Sequence, residues 1–140
     1  MKIAEFNVRC YVCWKQFLIP CLSEFSYGEF LFVNYKTRKF RYFNYFENEN
    51  IEKIVTAKLN SDSTFENENN YKKRDIRLKL IAKLSDGEFE PIFSNVKCPR
   101  CKIGFHSMPN NRSGMTNIEK LTFKITNKKS MVETINELSL

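Results

Sequence analysis

The alternation of apolar and polar residues predicts short strands over most of the first third of the chain. Apolar-rich stretches at 3–9 and 14–19 flank a Cys-x-x-Cys pair, which predicts a strand, a tight turn and a returning strand that Pro20 ends. Residues 27–35 and 40–46 are dense in aromatic and β-branched side chains, with a polar Lys-Thr-Arg-Lys turn between them. The second pair of stretches therefore predicts a β-hairpin.

The middle of the chain carries one helical pattern and one strand-like pattern. After an acidic start, isoleucine, valine and leucine recur at helical spacing, which predicts an amphipathic helix over 49–59. The polar segment 60–70 predicts an exposed loop. From 75 to 84 the apolar residues occupy the even positions, which predicts a strand. The polar face of that strand would carry three cations, Arg77, Lys79 and Lys83.

The last part of the chain reads as a hairpin, a loop, a strand and a helix. Asp86-Gly87 predicts a hairpin turn, and Pro91 directs the returning strand 88–97 towards a sheet edge. The polar segment 108–117 predicts a loop. The alternation of Leu121, Phe123 and Ile125 then predicts a final strand, and a possible capping box precedes a C-terminal helix.

These patterns together predict an α+β fold that is mainly β, with antiparallel hairpins, a zinc-ribbon-like pair of cysteine turns and one or two short helices. At 140 residues, the chain is long enough for one domain with a core of its own. The expected parts of this domain, 1–140, are cysteine-turn elements at 5–19 and 92–107, a hairpin plus helix at 27–59, an exposed loop at 60–70, and a strand plus helix at 118–139, with the two helices at about 49–59 and 128–138.

Two Cys-x-x-Cys pairs carry the chemistry of the chain, namely Cys10–Cys13 and Cys98–Cys101. Each tight turn presents two thiolates, and two such turns supply the tetrahedral sulfur set of a structural Zn²⁺ site. Since 84 residues separate Cys13 from Cys98, one shared metal would close a loop that contains most of the protein. We therefore expect Zn²⁺ on Cys10, Cys13, Cys98 and Cys101 as the cofactor.

The residues around the cysteines support this expectation and leave alternatives open. A zinc tetrathiolate carries two negative charges, which nearby cations would stabilise. The flanking cations are Arg9, Lys15, Lys97, Arg100 and Lys102. The alternatives are a redox dithiol, an iron site, two unrelated cysteine turns, or a degenerate site with no metal. His106, the one histidine, is expected to be an ordinary structural or surface residue rather than a ligand, and the fifth cysteine, Cys21, is expected to be a small buried thiol.

The net charge of +7 and one basic–aromatic stretch raise the question of nucleic acid. The possible contact residues are Lys36, Arg38, Lys39 and Arg41, which border aromatic residues that bases can stack on. The alternative is that both faces of this hairpin are apolar and its aromatics belong to the core. The two charges of a zinc tetrathiolate would reduce +7 to +5, and the lysine- and asparagine-rich composition is typical of A/T-rich codons.

The order Cys-x-x-Cys, a Tyr-Gly-Glu-Phe hairpin at 27–30 and a distal Cys-Pro-x-Cys resembles small bacterial zinc-ribbon-like proteins that have no assigned activity. The resemblance covers the two cysteine turns and the hairpin, and it implies only that the four cysteines are metal ligands. Some small bacterial proteins of this kind are accessory or immunity factors beside toxins, which extends to this chain by analogy of class alone.

We therefore expect a zinc-stabilised, non-enzymatic protein that acts by binding another protein. The alternatives are a nucleic-acid-binding zinc-ribbon protein and, third, a small enzyme or redox protein. The first residues, 1–6, contain no apolar run that would make a signal peptide, and no window approaches about 18 apolar residues, so a cytoplasmic protein without membrane contact is expected. A contiguous basic surface would favour nucleic acid, whereas an apolar patch would favour a protein partner.

Overall fold

The computed structural model describes residues 1–22, 28–123, 133 and 136, and all structural statements below refer to them. The strands are β1 Lys2–Arg9, β2 Gln16–Cys21, β3 Glu29–Asn34, β4 Lys39–Asn44, β5 Glu90–Pro91, β6 Arg112–Asn117 and β7 Glu119–Lys120. The helices are α1 Glu49–Asn60, α2 Ser63–Glu66 and α3 Asn70–Leu84, with a 3₁₀ turn at Tyr45–Glu47. In these residues the strand content exceeds the α-helix content, so the predicted α+β class is confirmed.

The strands form two sheets. The first has the order β2-β1-β6 and is antiparallel throughout. The second has the order β5-β3-β4-β7, where β3 runs antiparallel to β4 and β5, and β4 runs parallel to β7. Pro20 lies within β2 rather than ending it, and Pro91 lies in β5. Both prolines are in edge strands, where a missing N–H removes no inner ladder bond.

The four-stranded sheet lies between the helices and the three-stranded sheet. Phe30 pairs with Phe43 across the β3–β4 hairpin, and Leu31 pairs with Tyr42, so successive pairs face opposite sides. The Phe30 and Phe43 side packs against the buried residues of α1, α2 and α3. The Leu31 and Tyr42 side packs against Ile3 of β1. The aromatic residues of the hairpin therefore belong mainly to the core. This was the alternative to a role in base stacking.

The predicted hairpin and first helix are confirmed by β3, β4 and α1, but the predicted strand at 75–84 is wrong. This segment is the second half of α3, which begins after Asn69, whose side-chain oxygen accepts the N–H of Lys72 at 2.9 Å. Its buried residues are Leu78, Leu80, Ile81, Ala82 and Leu84. Helix α3 contacts both α1 and β5, so its apolar residues are spread over more than one face. The sequence therefore lacks the regular helical spacing of apolar residues that marks an amphipathic helix.

Other predicted boundaries also move. The expected loop 60–70 holds the one-turn helix α2, in which Phe65 is buried. Asp86-Gly87 connects α3 to β5 and closes no hairpin. The expected loop 108–117 contains β6, a polar strand that pairs with β1 over a large sequence separation. At the predicted last strand, β7 ends at Lys120 and Phe123 forms an isolated bridge with Ser85, while the helix expected at 128–138 lies outside the described residues except for 133 and 136.

Candidate metal centre

The two cysteine turns, here called the first knuckle (10–13) and the second knuckle (98–101), meet at one end of the molecule. Their four sulfur atoms all lie within 4.8 Å of one another. The Sγ atoms of Cys10 and Cys101 are 3.5 Å apart, and so are those of Cys13 and Cys98. Cys10 and Cys98 are fully buried, whereas Cys13 and Cys101 are partly exposed. The group can hold a metal ion, as the spacing of the cysteines predicted.

Each knuckle is built by the same three backbone contacts. In the first, the N–H of Trp14 donates to the carbonyl of Cys10 at 3.0 Å, the N–H of Cys10 to Lys15 at 2.9 Å, and the N–H of Val12 to the Cys10 sulfur at 3.4 Å. These bonds close a turn that leaves both sulfurs on one side. An N–H directed at sulfur also favours the thiolate, which is the ligating form.

The second knuckle repeats this geometry with residues 88 positions later. The N–H of Lys102 donates to the carbonyl of Cys98 at 3.0 Å, the N–H of Cys98 to Ile103 at 3.0 Å, and the N–H of Arg100 to the Cys98 sulfur at 3.4 Å. The residue after each second cysteine is left-handed, with φ of 66° at Trp14 and 65° at Lys102. The knuckles are thus related by an approximate two-fold symmetry that also exchanges the two 3.5 Å sulfur pairs.

A short backbone ladder joins the two knuckles. Cys10 and His106 form an antiparallel bridge, and on either side of it the N–H of Tyr11 donates to Phe105 at 2.8 Å and the N–H of Ser107 donates to Arg9 at 2.9 Å. The segment after the second knuckle therefore pairs with the end of β1, which leads into the first knuckle. This ladder holds the sulfurs together through the polypeptide itself.

His106 has a structural role in this ladder. It is buried, and its Nε2 accepts the N–H of Val96 at 3.1 Å. Because that nitrogen accepts, the proton is on Nδ1, which donates to the carbonyl of Ser107 at 2.8 Å. The ring also packs edge-on against Phe17, with centroids 5.6 Å apart. With both nitrogens engaged, His106 is not placed to act as a fifth ligand.

The electrostatics of the cluster favour a cation. Burial of Cys98 opposes its ionisation, yet the N–H groups of Cys101 and Arg100 and the neighbouring thiols lower its pKa to about 6. The N–H of Ile103 favours the thiolate of Cys101, but burial and the three neighbouring sulfurs raise its pKa to about 11. Four close thiolates repel one another, and a divalent ion would remove that repulsion and let all four ionise.

Arg38 connects the β3–β4 hairpin to the second knuckle. Its Nη1 donates to the carbonyl of Lys97 at 2.8 Å, and its guanidinium lies over the rings of Tyr35 and Phe17. Burial lowers the pKa of Arg38, while Tyr35 and Cys98 favour its charged form. A partly buried cation beside Cys98 offsets part of the charge that four thiolates carry.

The four residues considered for nucleic-acid contact do not form one patch. Lys36 pairs with Glu88 at 2.7 Å, and Arg41 pairs with Glu119 at 3.4 Å and lies over Phe89. Arg38 and Arg41 line a groove of about 580 Å³ between the sheets, together with the exposed Lys39, but Lys36 is not part of that lining. Three of the four cations thus already have partners within the chain.

Cys21 lies apart from the four-sulfur cluster. It is half-buried at the end of β2, and burial raises the pKa of its thiol. It packs against the small apolar cluster beneath the knuckles, the buried members of which are Val8, Cys10, Phe17, Ile19, Val96 and Cys98. Cys21 was expected to be buried; it is half-buried and packs against this cluster.

A feature that the sequence reasoning did not use is the exposure of large apolar side chains at the knuckles. Trp14 is 63% exposed and Phe105 is 56% exposed, with Tyr11, Val12 and Ile103 between 45% and 48%. The signal was present in the sequence, since each of these residues lies within four positions of a cysteine. The predicted strand-like stretches include Trp14 alone of these five residues, and the sequence pattern gave the other four no role.

Comparisons with known proteins find no match, so the function of this chain is argued from the site alone. No protein-family model matches the chain, and neither a curated protein nor a solved structure matches it. The four-cysteine group is compatible with the zinc-ribbon-like resemblance. None of the helices in the described ranges has the length and apolar character needed to cross a membrane.

Proposed function

We propose that this chain is a zinc-stabilised, non-enzymatic protein that acts by binding another protein. One observation carries the proposal: four cysteine sulfurs converge, so that they could complete a tetrahedral coordination sphere, while the knuckles that hold them expose large apolar side chains. A closed Cys₄ site has no position for a water or a substrate, which is the property of structural rather than catalytic zinc. The exposed residues serve neither the metal nor the core.

The choice of zinc rests on ligand type and spacing. Four thiolates in a tetrahedron suit Zn²⁺ or iron. Zinc–sulfur bonds of about 2.3 Å place tetrahedral sulfurs about 3.8 Å apart. The 3.5 Å pairs and the 4.8 Å limit of the whole group bracket that separation. Only small movements would therefore be needed to coordinate the ion.

A second candidate function, nucleic-acid binding, is favoured by one observation. No acidic residue occurs from 6 to 23 or from 91 to 118, the two segments that contain the knuckles. The five knuckle cations therefore have no carboxylates beside them in sequence. We rank this candidate second because Lys36, Arg38 and Arg41 are engaged within the chain.

Metal analysis and an oligonucleotide titration test the proposal. Protein purified without added metal should contain about one zinc per chain and lack the visible absorption that iron–thiolate sites give. Labelled single- and double-stranded oligonucleotides should bind weakly at about 150 mM salt, and this binding should fall steeply as salt rises. Metal-free protein that keeps its full stability contradicts the zinc site. Sub-micromolar oligonucleotide binding that a Lys39→Ala/Lys102→Ala variant loses would promote the second candidate.

A further inference from the structure

The two knuckles carry five exposed apolar residues, here called the knuckle surface: Tyr11, Val12, Trp14, Ile103 and Phe105. Five of the twelve large apolar side chains exposed among the described residues belong to it. Tyr11 and Phe105 lie on the two paired segments of the ladder between the knuckles. Their rings contact each other edge to face, with centroids 5.1 Å apart. The surface therefore spans both knuckles, and patches of this kind mark interaction sites.

The charged residues next to the knuckle surface in sequence are all cations, although Glu88 and Glu90 line a groove together with Lys97, and Glu5 and Glu119 line another together with Pro99. These cations are Arg9, Lys15, Lys97, Arg100 and Lys102. None of these five forms an ion pair in the described part of the chain, where the five ion pairs involve other residues. A zinc tetrathiolate would offset two of the five positive charges and leave three. The two knuckle segments therefore keep an excess of positive charge, which favours a partner of negative charge.

We propose that the knuckle surface docks an acidic segment of a partner protein, one that combines carboxylates with large apolar side chains. Its apolar residues would cover Val12, Trp14 and Ile103, and its carboxylates would pair with Arg100 and Lys102 at the rim. This inference rests on the proposed function, and it adds the place of docking and the chemistry of the partner. Apolar anchors inside a charged rim are the usual anatomy of a protein interface.

The geometry of the surface favours a protein segment over a nucleic acid. Base stacking needs open ring faces, and the edge-to-face contact between Tyr11 and Phe105 covers one of them. Val12 and Ile103 are aliphatic and 48% and 47% exposed, so they offer a base nothing to stack on. Apolar side chains of a peptide, in contrast, gain from covering both residues.

A selection experiment tests this assignment. Short random peptides displayed on phage are selected on the zinc-loaded full chain at about 150 mM salt, where exposed charge pairs still contribute. The enriched peptides should carry Asp or Glu together with Leu, Ile, Phe or Trp. Synthetic copies should bind a Trp14→Ser/Ile103→Ser variant about tenfold or more weakly, as loss of central apolar anchors predicts.

Two further variants control this result. Tyr71→Ser removes an aromatic residue on α3 that is 76% exposed, outside the knuckle surface, and should leave peptide affinity unchanged. Arg100→Glu/Lys102→Glu should lose the acidic peptides and enrich basic ones instead. Each variant is first checked for about one zinc per chain and a cooperative thermal transition, so that a folding defect is not read as a binding defect.

The outcomes separate the docking assignment from the proposed function. Enriched peptides that bind the Trp14→Ser/Ile103→Ser variant as tightly as the parent overturn the docking site and leave protein binding in place. Peptides without acidic residues overturn the partner chemistry. If no peptide is enriched while a labelled oligothymidylate binds in the sub-micromolar range and needs Trp14, both the docking assignment and the protein-binding function are wrong.

Discussion

The helical end and the knuckle end of this molecule have buried clusters of different size and composition. The helical end buries thirteen residues in one cluster, all of them hydrocarbon side chains from α1, α2, α3, the β3–β4 hairpin and Leu121. The cluster beneath the knuckles buries six residues, two of which are cysteines. A small apolar cluster contributes little stability by itself. A metal bound to the four sulfurs would supply at one end the stability that apolar packing supplies at the other.

The largest expected effect comes from removing one ligand. Cys98→Ser should lose the zinc and destabilise the whole domain by about 4 kcal/mol or more, because loss of a structural metal is among the severe classes of mutation. Denaturant unfolding together with elemental analysis measures both losses. Cys21→Ser is the matched control and should keep the zinc with a small change in stability. Equal stability of the Cys98 variant and the parent would show that the helical end alone holds the fold.

Acidification should remove the same contribution gradually. The folded pKa of Cys98 lies near 6, below its ordinary value of 9.0, so the thiolate contributes stability above the ordinary value and loses it as pH falls through about 6. Bound zinc competes with protons and should move that loss to still lower pH. Zinc release followed with a coloured chelator from neutral to acidic pH tests this direction. Release that increases towards high pH would contradict the thiolate site.

At the helical end, truncation of a core side chain should be costly without affecting the metal. Leu59 is fully buried in α1, and Leu59→Ala should lose about 2–5 kcal/mol through lost burial and a residual cavity. The variant should still bind about one zinc per chain. Stability is measured with and without a chelator, and the parent should show the same chelator-dependent difference. A variant that stays folded but loses its zinc would show that the helical core also positions the four sulfurs.

His106→Phe should have an intermediate effect at the knuckle end. The substitution keeps an aromatic ring but removes the acceptor of the Val96 N–H, and an unsatisfied buried donor costs about 1–3 kcal/mol. The zinc content should not change, because four sulfurs complete the site. Loss of stoichiometric zinc in this variant would show that His106 is needed for the site, either as a ligand or because it positions the ladder between the knuckles.

The smallest effect is expected at the left-handed residues. Trp14 has a φ of 66°, a left-handed conformation that costs a residue with a side chain about 1–2 kcal/mol, and Trp14→Gly removes this strain. Glycine also gives the unfolded chain more conformational entropy, which lowers the stability by up to about 1 kcal/mol. The net change in thermal stability should be zero or a slight gain. Lys15→Gly, at a residue outside the left-handed region, should lose stability in the same assay. A clear loss for Trp14→Gly would mean that its side chain contributes to folding.

Local patterns predicted the features that depend on neighbouring residues. The knuckles, the β3–β4 hairpin and α1 each follow from spacing or alternation within about a dozen positions. Helix α3 was mispredicted because α1 and β5 bury it on two sides, so its apolar residues no longer mark one face. Strand β6 is polar and forms because it pairs with the distant strand β1. A pattern of neighbouring residues cannot predict such a pairing. The ladder between Tyr11 and Phe105 was missed for the same reason.

The 84 residues between Cys13 and Cys98 also delay the completion of the cysteine site during translation. At about 5–20 residues per second, a ribosome needs about 4–17 seconds to reach the second knuckle after the first has been made. During that time the nascent chain carries Cys10 and Cys13 without their partners, while the β3–β4 hairpin and α1 are already available to fold. We expect zinc capture to be the last step of assembly, so the supply of metal at that moment decides how much protein reaches its native state.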